Sequence, residues 1–137
     1  MTMATRLLIV DDEERFLKTT KALMEKRQCV VATAPGGIEA LDLLRRQEVD
    51  VVVLDVKMPG MDGVEVLGRI KKDHPLVEVI MLTGHSTTES AVEGMKLGAF
   101  DYLLKPCDID ILHGKVLEAR DKKLTRQERM NRDKENR

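Results

Sequence analysis

Asp11-Asp12, Asp55, Thr83 and Lys105-Pro106 each close a short apolar run. Leu7 to Val10 leads into the first pair, Val51 to Leu54 into Asp55, Val79 to Leu82 into Thr83, and Tyr102 to Leu104 into Lys105. Ligands of an open parallel sheet sit beyond the carboxyl ends of its strands. If these runs are such strands, three carboxylates, a hydroxyl and an ammonium gather at one edge. Carboxylates that close repel one another and raise the pKa of some members. A hard divalent cation relieves the repulsion, and Mg²⁺ favours one or two carboxylates, several waters and a phosphate oxygen. One carboxylate is then left as a nucleophile toward a phosphoryl group, giving an aspartyl phosphate. Phosphoryl transfer asks mainly for positioning and charge neutralisation, which Lys105 and Thr83 would supply at the phosphoryl oxygens. Any one of these residues is ordinary at a loop start. Their recurrence at successive strand ends is not.

The elements needed to position them can be read along the chain. A first helix is predicted over about 13–27, with Phe16, Leu17, Thr20, Leu23 and Met24 facing inward. Cys29 to Ala34 reads as a strand, followed by a turn at Pro35-Gly36-Gly37. Ile38, Leu41 and Leu44 mark a second helix ending near Gln47, and Val64, Leu67 and Ile70 a third, stopped by His74-Pro75. A fourth helix runs from Thr87 to Leu97 with Gly98 placed to cap it. Ile109, Leu112, Val116 and Ala119 give a fifth its buried stripe. Five βα units whose strands are almost continuously apolar imply an α/β fold with both sheet faces covered. The expected architecture is a doubly wound five-stranded parallel sheet flanked by five helices, flavodoxin-like, in the order 2-1-3-4-5.

Four stretches in sequence order carry a family resemblance: Leu8 to Glu13, Val53 to Gly63, Met81 to Gly84, and Gly98 to Pro106. Each is weak alone. Together the chain resembles the receiver domain of bacterial two-component response regulators, over about residues 5–122. The resemblance makes Asp55 the phosphoacceptor and Asp12 the direct Mg²⁺ ligand, with Asp11 acting through water and the Lys57 backbone carbonyl completing the set. It implies that Lys105-Pro106 is a cis peptide, and because an ammonium at that edge needs a partner, Lys105 is expected within pairing distance of Asp55 before phosphorylation. Thr83 would move toward the phosphoryl group, and Tyr102 would swing from exposed to buried, remodelling the fourth helix, fifth strand and fifth helix. The donor would be a histidine kinase or phosphotransfer protein. The receiver of the signal would be a partner protein or a fused output domain, and a phosphorylation-dependent homodimer is allowed.

Other chemistry on this fold fits less well. A flavin site needs a Ser/Thr/Gly-rich loop after the first strand, where this chain has Asp11-Asp12-Glu13-Glu14. A phosphatase of the haloacid dehalogenase type needs an acid two positions past the nucleophile, where this chain has Lys57. Asp55 is therefore expected to hold a phosphoryl group rather than turn over substrates, so the chain is not read as an enzyme. Lys57 and His85, each two positions past a reacting residue, are poor at orienting an attacking water, which predicts a long-lived phosphoprotein. His74, His85 and His113 have no ligand spacing.

With 137 residues, 42% apolar, one Tyr, two Phe and no Trp, the chain reads as one domain with an aliphatic core. A net charge of −1 gives no drive toward nucleic acid or membrane, and no apolar run reaches membrane-span length. Cys29 and Cys107 read as reduced structural thiols of a cytoplasmic protein. Arg120 to Arg137 carries eight Lys or Arg against four Asp or Glu, with only Leu124 and Met130 as large apolar residues. Residues 123–137 are accordingly expected to be a solvated helical extension or the start of a linker, without direct nucleic-acid binding. The primary reading is a stand-alone receiver. The alternative is the amino-terminal receiver of a longer sigma-54-dependent activator, which the 100–108 stretch resembles.

Overall fold

In a computed structural model, residues 4–84 and 88–136 are described. The order of elements is β1 (Thr5–Val10), α1 (Glu14–Glu25), β2 (Cys29–Ala34), α2 (Gly37–Arg46), β3 (Val51–Leu54), α3 (Gly63–Asp73), β4 (Glu78–Thr83), α4 (Thr88–Lys96), β5 (Asp101–Leu104) and α5 (Ile109–Glu135). All strands are parallel, in the order β2-β1-β3-β4-β5. The expected fold is the one observed.

Alternation along the strands divides the core in two, because successive side chains leave opposite faces of a sheet. Leu8, Val10, Val52, Leu54, Val79 and Met81 pack with Ala40 and Leu44 of α2 and with Val64, Leu67 and Ile70 of α3. Leu7, Ile9, Val51, Val53, Ile80 and Leu82 pack with Leu17 and Met24 of α1 and Leu112, Val116 and Ala119 of α5. Fully burying one such aliphatic side chain contributes about 1.5–3 kcal/mol, so both layers are needed. Leu41 and Leu44, two of the three residues that mark α2 in the sequence, pack on the core, and Ile38 does not. Ile38 is 68% exposed while Gly37, Ala40 and Leu44 are buried. Gly37 lies so close to Val66 of α3 that the helix rotates its smaller residues inward.

Helix ends follow local chemistry. Asp62 caps α3 by accepting from the Val64 amide at 3.0 Å, and Asp108 caps α5 by accepting from the Asp110 amide at 2.8 Å. Gly98, with φ +106°, turns the chain after α4 in a conformation that an L side chain rarely adopts. The largest departure is α5. It continues as one helix to Glu135, and one face of its first turns beyond Ala119 packs on the domain: Lys123 is 6% exposed, whereas its neighbour Leu124 is 41% exposed.

Candidate functional site

Backbone hydrogen bonds align the strand ends that carry the reactive groups. The Asp11 amide donates to the Ala34 carbonyl at 3.1 Å, the Asp55 amide to Val10 at 3.0 Å, and the Lys105 amide to Thr83 at 2.9 Å. This continuation of the ladder past each strand holds Asp11, Asp55, Thr83 and Lys105 on the carboxyl edge. Asp11 (1% exposed), Asp55 (6%) and Thr83 (0%) are buried, whereas Asp12 is exposed. One carboxylate oxygen from each of Asp11, Asp12 and Asp55 lies within 4.8 Å of the others.

The loop after β3 is shaped by a close approach. A side chain at Gly63 would meet the Asp55 carbonyl oxygen at 2.4 Å and the Val56 Cα at 2.6 Å. Only glycine lets α3 begin directly against the residue that carries the buried carboxylate. The exposed Lys57 donates its backbone amide to Asp55 Oδ1 at 3.3 Å. Burial, followed by the charge of Asp11, pushes the Asp55 carboxyl above its usual range. Lys105, the Lys57 amide and the Thr83 hydroxyl act in the opposite direction without cancelling that rise.

Lys105 stands differently from the expectation. Its ammonium pairs with Asp11 Oδ2 at 2.5 Å and Glu13 Oε1 at 3.5 Å, and the Asp55 carboxylate is not its ion-pair partner. The reason is positional: β1 and α1 present two carboxylates to the ammonium, and the Phe16 ring centroid lies 4.1 Å from it. Burial lowers the Lys105 pKa, but the Asp11 hydrogen bond and the charges of Asp11, Asp55 and Glu13 raise it overall. Glu13 and Phe16 were not singled out as parts of the site by their sequence. Their signal is their place in and just before the first turn of α1, three residues apart, so that both reach one neighbour. The Lys105-Pro106 peptide is cis.

Tyr102 is half-buried, its ring packs against the aliphatic layer of α2 and α3, and its hydroxyl is buried without a hydrogen-bond partner among the described residues. The expected outward starting position is therefore not the one seen. Burial and the Asp55 charge both raise its phenol pKa. His85 lies outside the described residues. Cys29 is buried and Cys107 half-buried, both as thiols.

The description "Response regulator receiver domain" matches residues 7–117. This chain belongs to that family. As a receiver domain it is 40% identical over 113 residues to the transcriptional regulatory protein ZraR of Escherichia coli K12, covering 82% of this chain and 26% of ZraR. It is 41% identical over 102 residues to the DNA-binding transcriptional regulator NtrC of Klebsiella pneumoniae, covering 74% and 22%. Among solved structures, a CheY-like receiver domain protein from Methanospirillum hungatei superposes with a TM-score of 0.87 at 31% identity, covering 90% of this chain and 98% of that one. NtrX from Brucella abortus superposes with a TM-score of 0.85 at 30% identity, covering 92% of this chain and 29% of NtrX. The receiver spans about a quarter of the length of the curated relatives it matches. No helix among its described residues is long and apolar enough to cross a membrane.

Proposed function

We propose that this receiver accepts a phosphoryl group on Asp55 and uses it as a signal. One observation carries the reading: the buried Asp55 carboxylate shares a cluster of three carboxylates with Asp11 and Asp12, at an edge that also holds Thr83 and Lys105. An Asp55 oxygen attacks phosphorus, the bond from phosphorus to the donor's histidine nitrogen breaks, and the electron pair leaves with that nitrogen. The Thr83 hydroxyl and the Lys105 ammonium would meet the phosphoryl oxygens, for which Lys105 would leave Asp11.

The donor set suits Mg²⁺. It consists of hard oxygen atoms, two of the three carboxylates are buried, and a divalent cation relieves the repulsion by Asp11 that adds to burial in raising Asp55. Asp12 and Asp55 would hold the ion directly with the Lys57 carbonyl, and Asp11 through water. When bound, the ion neutralises charge on the acceptor and the incoming group. The aspartyl phosphate adds about −1.5 to −2 charge, which Thr83 and Tyr102 would convert into a changed surface at α4, β5 and α5. A histidine kinase or phosphotransfer protein in the cytoplasm would be the donor, and that surface would act on an output partner, through a homodimer, or on a fused domain.

Incubation with Mg²⁺ and acetyl phosphate should add one phosphoryl mass, lost in Asp55→Asn and on chelation. Equal labelling of the substituted protein would overturn the assignment. A second reading is supported by coverage: about a quarter of ZraR and NtrC corresponds to this chain, which fits the receiver of a longer transcriptional activator. The length of the natural reading frame separates the two.

A further inference from the structure

The opposite, amino edge of the sheet holds two more buried carboxylates, Asp50 (3% exposed) just before β3 and Glu78 (0%) at the start of β4. Neither serves the phosphoacceptor edge. The Glu78 amide donates to the Asp50 carbonyl at 3.2 Å, so the two side chains belong to adjacent strands of one edge. The cations that meet them come in large part from α5 beyond the family match. Lys123 Nζ lies 2.7 Å from Asp50 Oδ1, Arg126 Nη1 lies 2.8 Å from Glu78 Oε1, and Lys122 Nζ lies 3.5 Å from Glu78 Oε2. Arg120 Nη1 also reaches Thr5 Oγ1 at 3.0 Å.

The helix period explains this convergence. Leu112, Val116 and Ala119 form the buried stripe of α5, and the same spacing of three and four residues continues through Lys123 to Arg126. The stripe thus changes from apolar to cationic where the surface it faces changes from apolar to acidic. Without the extension, Asp50 would keep Arg6, whose Nη2 lies 3.0 Å from Oδ1. Among the described residues, Glu78 would keep only Lys71, at 3.4 Å, which also serves the Pro75 and Val77 carbonyls. Among the described residues, Glu78 Oε2 has no hydrogen bond even with the helix in place, only the longer Lys122 ion pair. A buried carboxylate short of partners is strongly unfavourable, so the edge demands a basic segment. Beside the seat, a groove of about 460 Å³ runs between Leu44, Val49 and Leu76 of the domain and Lys123, Gln127 and Met130 of the helix.

We propose that Asp50 and Glu78 form a receptacle for the chain's own basic helical segment, residues 120–126. The receptacle makes that segment a working part of the receiver and fixes the direction in which α5 leaves it. Its occupant is chosen by charge: a cationic stripe in register with an apolar one, which a neutral or acidic helix could not replace. Any module following α5 would inherit that direction.

Hydrogen exchange of the full chain tests this, read peptide by peptide. Amides of 120–128 should be protected to nearly the level of 112–119, with 130–136 exchanging faster. Lys123→Gln with Arg126→Gln should accelerate exchange at 120–128 by at least tenfold while leaving the strands, 112–119 and labelling by acetyl phosphate unchanged. Asp50→Asn with Glu78→Gln should release the same peptides from the other side. If the acidic pair prevents folding, the Lys123 and Arg126 pair, which lies on the helix, decides alone. Exchange at 120–128 as fast as at 130–136 in the unsubstituted protein, or protection unmoved by Lys123→Gln with Arg126→Gln, would overturn the proposal.

Discussion

The two edges of this sheet treat buried carboxylates in opposite ways. At the carboxyl edge, where Asp11, Asp12 and Asp55 cluster, Lys105 pairs with Asp11 and not with Asp55, and Asp55 is held above the ordinary carboxylate range. At the amino edge, burial also pushes Asp50 up. Hydrogen bonds from the Arg6 and Lys123 side chains and the Arg6 amide more than offset it, and Asp50 ends below that range. Burial is comparable; the supply of cations differs. An edge left short of positive charge would favour a bound cation, as the proposed function requires, whereas an edge with its charges matched holds structure together. The same backbone serves both because strand ends present side chains to loops on one side and to the long α5 on the other.

The largest expected effect breaks this contrast directly. Asp50→Ala should lower the free energy of unfolding by about 3 kcal/mol, because it leaves Lys123 and Arg6 without their shared acceptor. Asp55→Asn should raise it, since it removes a carboxylate that its surroundings disfavour in the charged form. Urea unfolding of both, in the presence of a chelator, compares them. Losses of similar size at the two edges would dissolve the distinction.

The pH dependence should differ in sign as well. A carboxyl lowered on folding stabilises the protein above its unfolded pKa, and that contribution is lost as pH falls through the folded value. Asp50 therefore contributes an acid-side loss of stability, beginning near the usual Asp range and continuing below it, which Asp50→Asn should flatten. Asp55 is raised, so the folded protein binds its proton more tightly than the unfolded chain does. Stability should fall as pH rises from the usual Asp range through the raised folded value, and Asp55→Asn should remove that fall. Thermal unfolding across this window without metal checks both limbs.

Lys105 sharpens the comparison on the reactive side. Lys105→Ala should slow labelling by only about tenfold, equivalent to ~1.4 kcal/mol, because a bound Mg²⁺ would carry much of the charge stabilisation. The response of a phosphorylation-dependent conformational probe at α4, β5 and α5 should be lost to a greater extent than labelling, because Lys105 serves propagation of the signal more than the chemistry. Equal losses in the two measurements would argue against that division. The smallest effect concerns lifetime. Lys57→Asn together with His85→Glu should shorten the phosphoprotein's half-life after removal of the donor by only a few fold, and unchanged or slower decay would contradict the reading of those two positions.

Strand runs ending in charged or hydroxylic residues made the fold and the gathering of Asp11, Asp12, Asp55, Thr83 and Lys105 legible in advance. Apolar period and turn chemistry are local properties, and the carboxyl ends of parallel strands meet by topology alone. The partner of Lys105 was not legible. Asp11, Glu13 and Phe16 compete for it through distances of a few ångströms that no spacing rule encodes. The exposed face of Ile38 and the inward hydroxyl of Tyr102 likewise depended on packing against neighbours remote in sequence.

The last helix shows the division most clearly. By itself the sequence determined that residues 120–137 are basic and polar, and a helical stretch of that composition is ordinarily solvated. Only the tertiary structure decided that its first turns face Asp50 and Glu78, which lie 73 and 48 residues away from Lys123 and Arg126 in the chain. The reason is physical. A charge pattern states what a segment carries, but whether a lysine is solvated or buried is set by what the fold places opposite it.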